Sequence, residues 1–291
     1  MRDILILDCA EIGCPLVLRY VFIEMCEAFK TRGYKVKIIN SIKDITNNSI
    51  VFMGDIFRHP DPCSLLMDVA PDAIYIGWYW INIQKTNLLK YFLHTHENML
   101  NPNETVHKIL SRAMIAHCPL LLRASESPEL VGTYERNIVH DYCYMGWRYC
   151  VQYVPSASLF KGIYHGVCDH SFFLPYSERK KIYLSSIFAL GFQADQNIIN
   201  KHVSQRIFEG LAYGCIVLSN SLPACEQTNN IVVHIKSKED LEQKMTFFKE
   251  NPDALKKKQE EGYLFVKKFG TNHYSIDKFI QCIHDAYNLA V

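Results

Sequence analysis

Short apolar runs that stop at glycine or aspartate, each separated from the next by a helical stretch, constrain this chain more than any other feature. Ile4 to Leu7 is such a run and ends at Asp8. A loop with Gly13 and Pro15 follows, then the helical pattern of Leu18 to Lys30 closed by Gly33, then a second strand, Val36 to Ile39. A third strand, Ile50 to Met53, ends at Gly54-Asp55, and a fourth, Ala73 to Ile76, ends at Gly77. Strands without polar alternation, joined by helices, predict a parallel sheet covered on both faces. Ligands of such sheets sit beyond the carboxyl ends of the strands, which here present Asp8, Glu11, Asp55, Arg58, His59 and Trp78.

Residues 85 to 117 read as helical, with a polar break at Asn101-Pro102-Asn103, and Leu120 to Leu122 as a further buried strand. Around Tyr134 to Asp141 the rhythm resets. The second series of strands is Tyr142 to Met145, Gly162 to His165, Ile182 to Phe188, Cys215 to Leu218 and Ile231 to Ile235. Ser237, with Glu239 and Asp240 behind it, marks a helix start and runs to about Lys249. A helix from Asp253 to Lys268 closed by Gly270 follows, and Ser275 begins a last one. Two successive α/β halves imply two similar domains facing each other. The expected boundaries are 1–140, 141–270 and a closing helix, 271–291, that packs back on the first domain.

The 291 residues carry 31 basic against 30 acidic side chains, so no global field draws nucleic acid or an anionic membrane, and neither is expected as a partner. The eleven cysteines are odd in number and form no CxxC pair, a pattern of buried thiols in a reducing compartment. The N-terminus reaches an aspartate after too few apolar residues for a signal peptide, and no stretch approaches about 18 uninterrupted apolar residues. A cytoplasmic protein is expected. The first loop, DCAEIGCP, is neither a GxGxxG fingerprint nor a Walker loop, which argues against a dinucleotide or P-loop site.

The stretch SQRIFEGLAYGCIVLSN, Ser204 to Asn220, is the densest in information. Ile207, Phe208, Leu211 and Ala212 fall at core spacing on one helix, Gly214 stops it in a left-handed cap, and a short apolar strand follows. Arg206 and Glu209 are left off the core stripe, a spacing equally expected of a solvated i,i+3 ion pair.

The order of Ser177 to Leu190, SQRIFEGLAYGCIVLSN, Ile231 to Lys236, Ser237-Lys-Glu-Asp-Leu241, Asn251-Pro-Asp253 and Gly262-Tyr263 resembles the C-terminal half of group-1 glycosyltransferases of the GT-B fold, CgeB-type relatives among them. The resemblance spans about residues 140 to 285. It implies transfer of a sugar from a nucleotide-diphosphate sugar to a hydroxyl of a glycan or other acceptor, with no metal and no further cofactor. It places Glu209 on the ribose hydroxyls, Arg206 either near the diphosphate or in a position to fix Glu209, Ser204 and Gln205 at the helix start where free N–H groups favour phosphate, and Lys181, read as lying just before a strand, at a recurrent basic position. His165 and Gly146, at strand ends, complete the donor set. Lys201 stands where retaining members often carry a second glutamate, which leaves the donor sugar and the stereochemical outcome open.

The histidines lack the spacing of known zinc sites. An inverting reaction needs a base, for which the first domain offers Asp8, Glu11, Asp55 and His59, with Glu11 and Asp55 preferred, while Tyr79 and Trp80 suit an acceptor sugar. A second reading is a non-catalytic glycan-binding or assembly protein that retains the GT-B fold.

Overall fold

The computed structural model describes residues 3–7, 19–53, 68–70, 72–77, 124, 126–146, 152–166, 174, 176–199 and 203–287. The chain divides into two compact units, one of Met1–Leu121 with Ser275–Val291, the other of Leu122–Tyr274. The expected helix over 85–117 and strand at 120–122 lie outside the described residues.

The first unit holds β1 (Asp3–Leu7), α1 (Arg19–Thr31), β2 (Val36–Ile39), β3 (Ser49–Met53) and β4 (Ile74–Gly77). They form a parallel sheet in the order β2-β1-β3-β4. Ile4 to Leu7 and Ile50 to Phe52 are buried without alternation, as strands covered on both faces must be. Phe29 of α1 lies edge-on to Phe52 with ring centroids 5.7 Å apart.

The second unit is a five-stranded parallel sheet, β5 (His140–Gly146), β6 (Gly162–Gly166), β7 (Ser186–Leu190), β8 (Ile216–Ser219) and β9 (Val233–His234), in the order β6-β5-β7-β8-β9. Its helices are α2 (Tyr176–Leu184), α3 (Asp195–Ile199), α4 (Gln205–Ala212), α5 (Leu222–Gln227), α6 (Lys238–Glu250) and α7 (Pro252–Phe265), followed by a π-helical turn, Val266–Gly270; α8 (Asn272–Tyr287) starts in this unit and from Ser275 onward belongs to the first. Side-chain size differs between the two faces of this sheet. Tyr142, Tyr144, Phe188, Leu190, Ile216 and Leu218 fill one face, against Leu241 and Met245 of α6. Cys143, Ala189 and Val217 line the other, where α4 lays Ile207, Phe208 and Leu211. Small residues there let α4 sit close: a Cβ added at Gly210 would come within 2.9 Å of both Ala189 Cβ and Val217 Cγ2.

Three sequence expectations are corrected. Residues 182 to 184 belong to α2, not to a strand: Ser185 N–H donates to the Lys181 carbonyl at 3.1 Å and ends the helix one residue before β7. The last strand shrinks to Val233–His234, because Asn229 and Asn230 turn the chain in left-handed conformations, at φ 52° and 60°. The final helix starts at Asn272, since the Thr271 hydroxyl accepts from Tyr274 N–H at 3.3 Å and leaves Ser275 inside the first turn.

Gly210→Ala should destabilise the second unit by about 1–3 kcal/mol through overpacking, although alanine ordinarily favours a helix interior by about 1 kcal/mol. Urea unfolding of the two proteins side by side measures the difference.

Candidate functional site

The strand order reverses between β5 and β7, which run to opposite sides of the sheet from a shared ladder. Beyond the carboxyl ends of such a pair the connecting loops part and leave a crevice. Arg206, in the first turn of α4, spans that point. Its Nη1 donates to the Met145 carbonyl at 2.6 Å and its Nη2 to the Phe192 carbonyl at 3.2 Å, so one planar fork joins the end of β5 to the loop after β7. Nε donates to Ser204 Oγ at 3.2 Å; Ser204, the N-cap residue, therefore orients the guanidinium and makes no side-chain cap bond. Gly146 leaves room for this fork, since a Cβ there would collide with the guanidinium.

Glu209, one turn further along α4, is 2% exposed. Its Oε1 takes Arg179 Nη2 at 2.9 Å, and its Oε2 lies 3.4 Å from the Tyr183 hydroxyl. Arg179 and Tyr183 sit four residues apart on α2 and so present one face to α4. The Tyr183 hydroxyl is pushed well up by burial and by the Glu209 charge.

A second buried carboxylate fixes that helix. Glu126 accepts from Tyr134 at 2.5 Å, Tyr176 at 2.8 Å, Tyr213 at 2.9 Å and Lys180 Nζ at 3.0 Å. Tyr176 opens α2 and Tyr213 closes α4, and their hydroxyls also meet each other. Burial by itself raises the Glu126 carboxyl, and the four donors together outweigh it, so its pKa lies below the ordinary value. Burial is also the main cause that raises Tyr176 and Tyr213, so both stay protonated donors. At the sheet's edge, Asn220 after β8 accepts from Gln193 N–H at 2.8 Å and donates to the Gln193 carbonyl at 2.9 Å, clasping the loops that follow β7 and β8.

The family model described as glycosyl transferase-like matches residues 129–281, more than half of the chain. The chain belongs to this family. It is a glycosyltransferase, and its fold is GT-B: an alpha-glucosyltransferase in complex with UDP superposes with a TM-score of 0.66 at 9% identity, over 97% of this chain and 100% of that one. The same kind of enzyme in complex with UDP and a 13-mer DNA containing a HMU base gives a TM-score of 0.61 at 10% identity, over 97% and 99%. With a DNA containing a central A:G mismatch the TM-score is 0.65 at 10% identity, over 97% and 99%. No curated protein matches the sequence.

In this glycosyltransferase the expected donor residues separate into two groups. Ser204, Gln205, Arg206 and Glu209 come together on α4, and Gly146 joins them through Arg206. Arg206 and Glu209 do not pair with each other as an exposed i,i+3 couple: Glu209 is buried against Arg179, while Arg206 is committed to backbone carbonyls. Lys181 is corrected: it lies in the last turn of α2, exposed, 2.9 Å from Glu178. His165 occupies β6 opposite Met145 in the ladder. Asp8, Glu11, Asp55, Arg58, His59, Trp78, Tyr79, Trp80 and Lys201 lie outside the described residues. Arg179, Tyr183 and Glu126 escaped the sequence reading, because the segment holding the first two was taken partly for strand; their i,i+4 spacing was the available signal. Among the described residues no group of three or more His, Cys, Asp or Glu is placed to hold a metal ion, and no helix is long and apolar enough to cross a membrane.

Because its folded pKa is depressed, Glu126 contributes stability that is complete above the ordinary carboxylate value, about 4.3, and is lost as pH falls through the lower folded value. Glu126→Gln should therefore flatten the acid limb of the stability curve below about pH 4.5, read as Tm from neutral to acid pH.

Proposed function

We propose that the protein transfers a sugar from a nucleotide-diphosphate sugar to an acceptor hydroxyl, with the donor held at the first turns of α4. The observation that carries this reading is Glu209, a carboxylate buried at the carboxyl edge of the sheet and oriented by Arg179 and Tyr183. An ionised carboxylate has about four acceptor positions, enough to take the two vicinal hydroxyls of a ribose besides its protein partners. Ser204 and Gln205 start a helix whose leading N–H groups suit a diphosphate. Arg206 supports the site by holding β5 to the loop after β7 and by adding positive charge beneath it, and Gly146 admits that arrangement. His165 and Lys181 are secondary candidates.

The departing diphosphate would be stabilised by the positive end of α4 and nearby cations, without a metal. Glu11, Asp55 and His59 are proposed as the groups from which the acceptor's base is drawn. The solved neighbours bind UDP, which makes UDP-sugars the first donors to try. Two of them also hold DNA, so the acceptor panel includes DNA containing a HMU base beside glycans. The near balance of 31 basic and 30 acidic residues favours the glycan, because DNA binding draws on a concentrated positive surface.

Glu209→Gln keeps the volume and removes the charge. It should weaken binding of the preferred nucleotide sugar by about ten- to a hundredfold, measured by calorimetry, and turnover should persist in EDTA. Unchanged affinity for every UDP-, GDP- and TDP-sugar would overturn the donor assignment.

A further inference from the structure

Gln193 sits in the loop between β7 and α3, at the same edge of the sheet as the first turn of α4, and is 1% exposed. Among the described residues neither its Oε1 nor its Nε2 has a hydrogen-bond partner. A buried amide left without partners lowers stability at both atoms and calls for an explanation, of which use by a bound ligand is one. The backbone of this loop has little freedom to relieve the deficit. Gln193 N–H and carbonyl are both taken by the Asn220 side chain, at 2.8 and 2.9 Å. The preceding carbonyl, that of Phe192, accepts from Arg206 at 3.2 Å, and the Phe192 ring packs against Tyr144 and Tyr153 with centroids 5.4 and 5.3 Å away. The amide is thus held in a fixed place with one donor and one acceptor unserved.

We infer that Gln193 is a specificity-determining residue of the donor site, whose side-chain amide pairs with the hydrogen-bonding edge of the donor's nucleobase. This rests on the proposal that α4 holds the donor. A phosphate satisfies Nε2 only and sets its own oxygens against Oε1. A lone hydroxyl serves one atom well and leaves the other short. A planar base edge places a donor beside an acceptor and satisfies both at once. An amide meets the lactam edge of uracil or guanine in one orientation and, turned over, the amidine edge of cytosine or adenine. In the proposed arrangement Glu209 already takes the ribose hydroxyls, which leaves the base for the neighbouring loop.

Gln193→Met preserves length and volume and removes both polar atoms; Gln193→Leu is the second variant should the first fold poorly. Three quantities decide the matter: Tm without ligand, Kd for UMP, GMP, CMP and AMP, and inhibition of transfer by inorganic pyrophosphate. The expected result has opposite signs. Tm without ligand stays level or rises, because the unserved atoms are gone, while Kd for the monophosphate that the wild type prefers weakens by about tenfold or more. Pyrophosphate inhibition does not change. Unchanged monophosphate affinity overturns the inference, as does a substantial fall in ligand-free Tm, which would make the amide a structural group. If Glu209→Gln weakens UDP binding and Gln193→Met does not, this inference alone fails; if the wild type binds no nucleotide, the donor reading fails with it.

Discussion

One guanidinium bridges the second unit where the loops beyond its paired strands part. The reversal of strand order between β5 and β7 sends their loops in opposite directions, and Arg206 ties the two carbonyls that face each other across that divergence. A lysine, with a single flexible ammonium, lacks the fixed geometry for both carbonyls and Ser204 Oγ together. The glycine at 146 and the close seat of α4 on Ala189 and Val217 serve the same contact, since both bring the arginine within reach. The helix is therefore placed by apolar packing from below and by a charged fork at its first turn.

Behind α4, two carboxylates are neutralised by adjacent residues of one short helix. Arg179 meets Glu209 and Lys180 meets Glu126, so α2 delivers one cation to each. Buried ion pairs contribute little net stability against apolar alternatives, but breaking one leaves an uncompensated charge. Their value here is positional. Tyr176 and Tyr213, both bonded to Glu126, fix the start of α2 and the end of α4, and so set the distance at which Arg179 approaches Glu209.

The β/α rhythm, the parallel sheets and the course of α4 to its glycine cap were legible because each rests on local patterns: buried apolar strands, 3.6-residue periodicity and a residue that tolerates positive φ. The residues of α4 were found by the same means. Their partners were not, because partnership depends on tertiary contact. Arg206 and Glu209 look like a solvated pair at i,i+3, and only the folded chain separates them, one to backbone carbonyls and one to a helix 26 to 30 residues away in sequence. The boundary between α2 and β7 was hidden by the apolar run Ile182 to Phe188, in which a helix end and a strand start are one residue apart. The partners of Glu126 gave no signal, since its four donors come from three separate segments of the chain: Tyr134, α2 with Tyr176 and Lys180, and Tyr213.

The clasp between Asn220 and Gln193 has a consequence for the shape of the sheet's edge. A side-chain amide that donates to a residue's carbonyl and accepts from its N–H does what one more residue of neighbouring strand would do. The ladder between β7 and β8 is thereby prolonged by a side chain instead of by main chain. The backbone after Ser219 is then free to turn away at once into α5, whose cap is Ser221, while the loop after β7 keeps the order of a strand. The mouth of the sheet combines a rigid lip with an early exit for the chain, a combination that paired backbone alone does not provide.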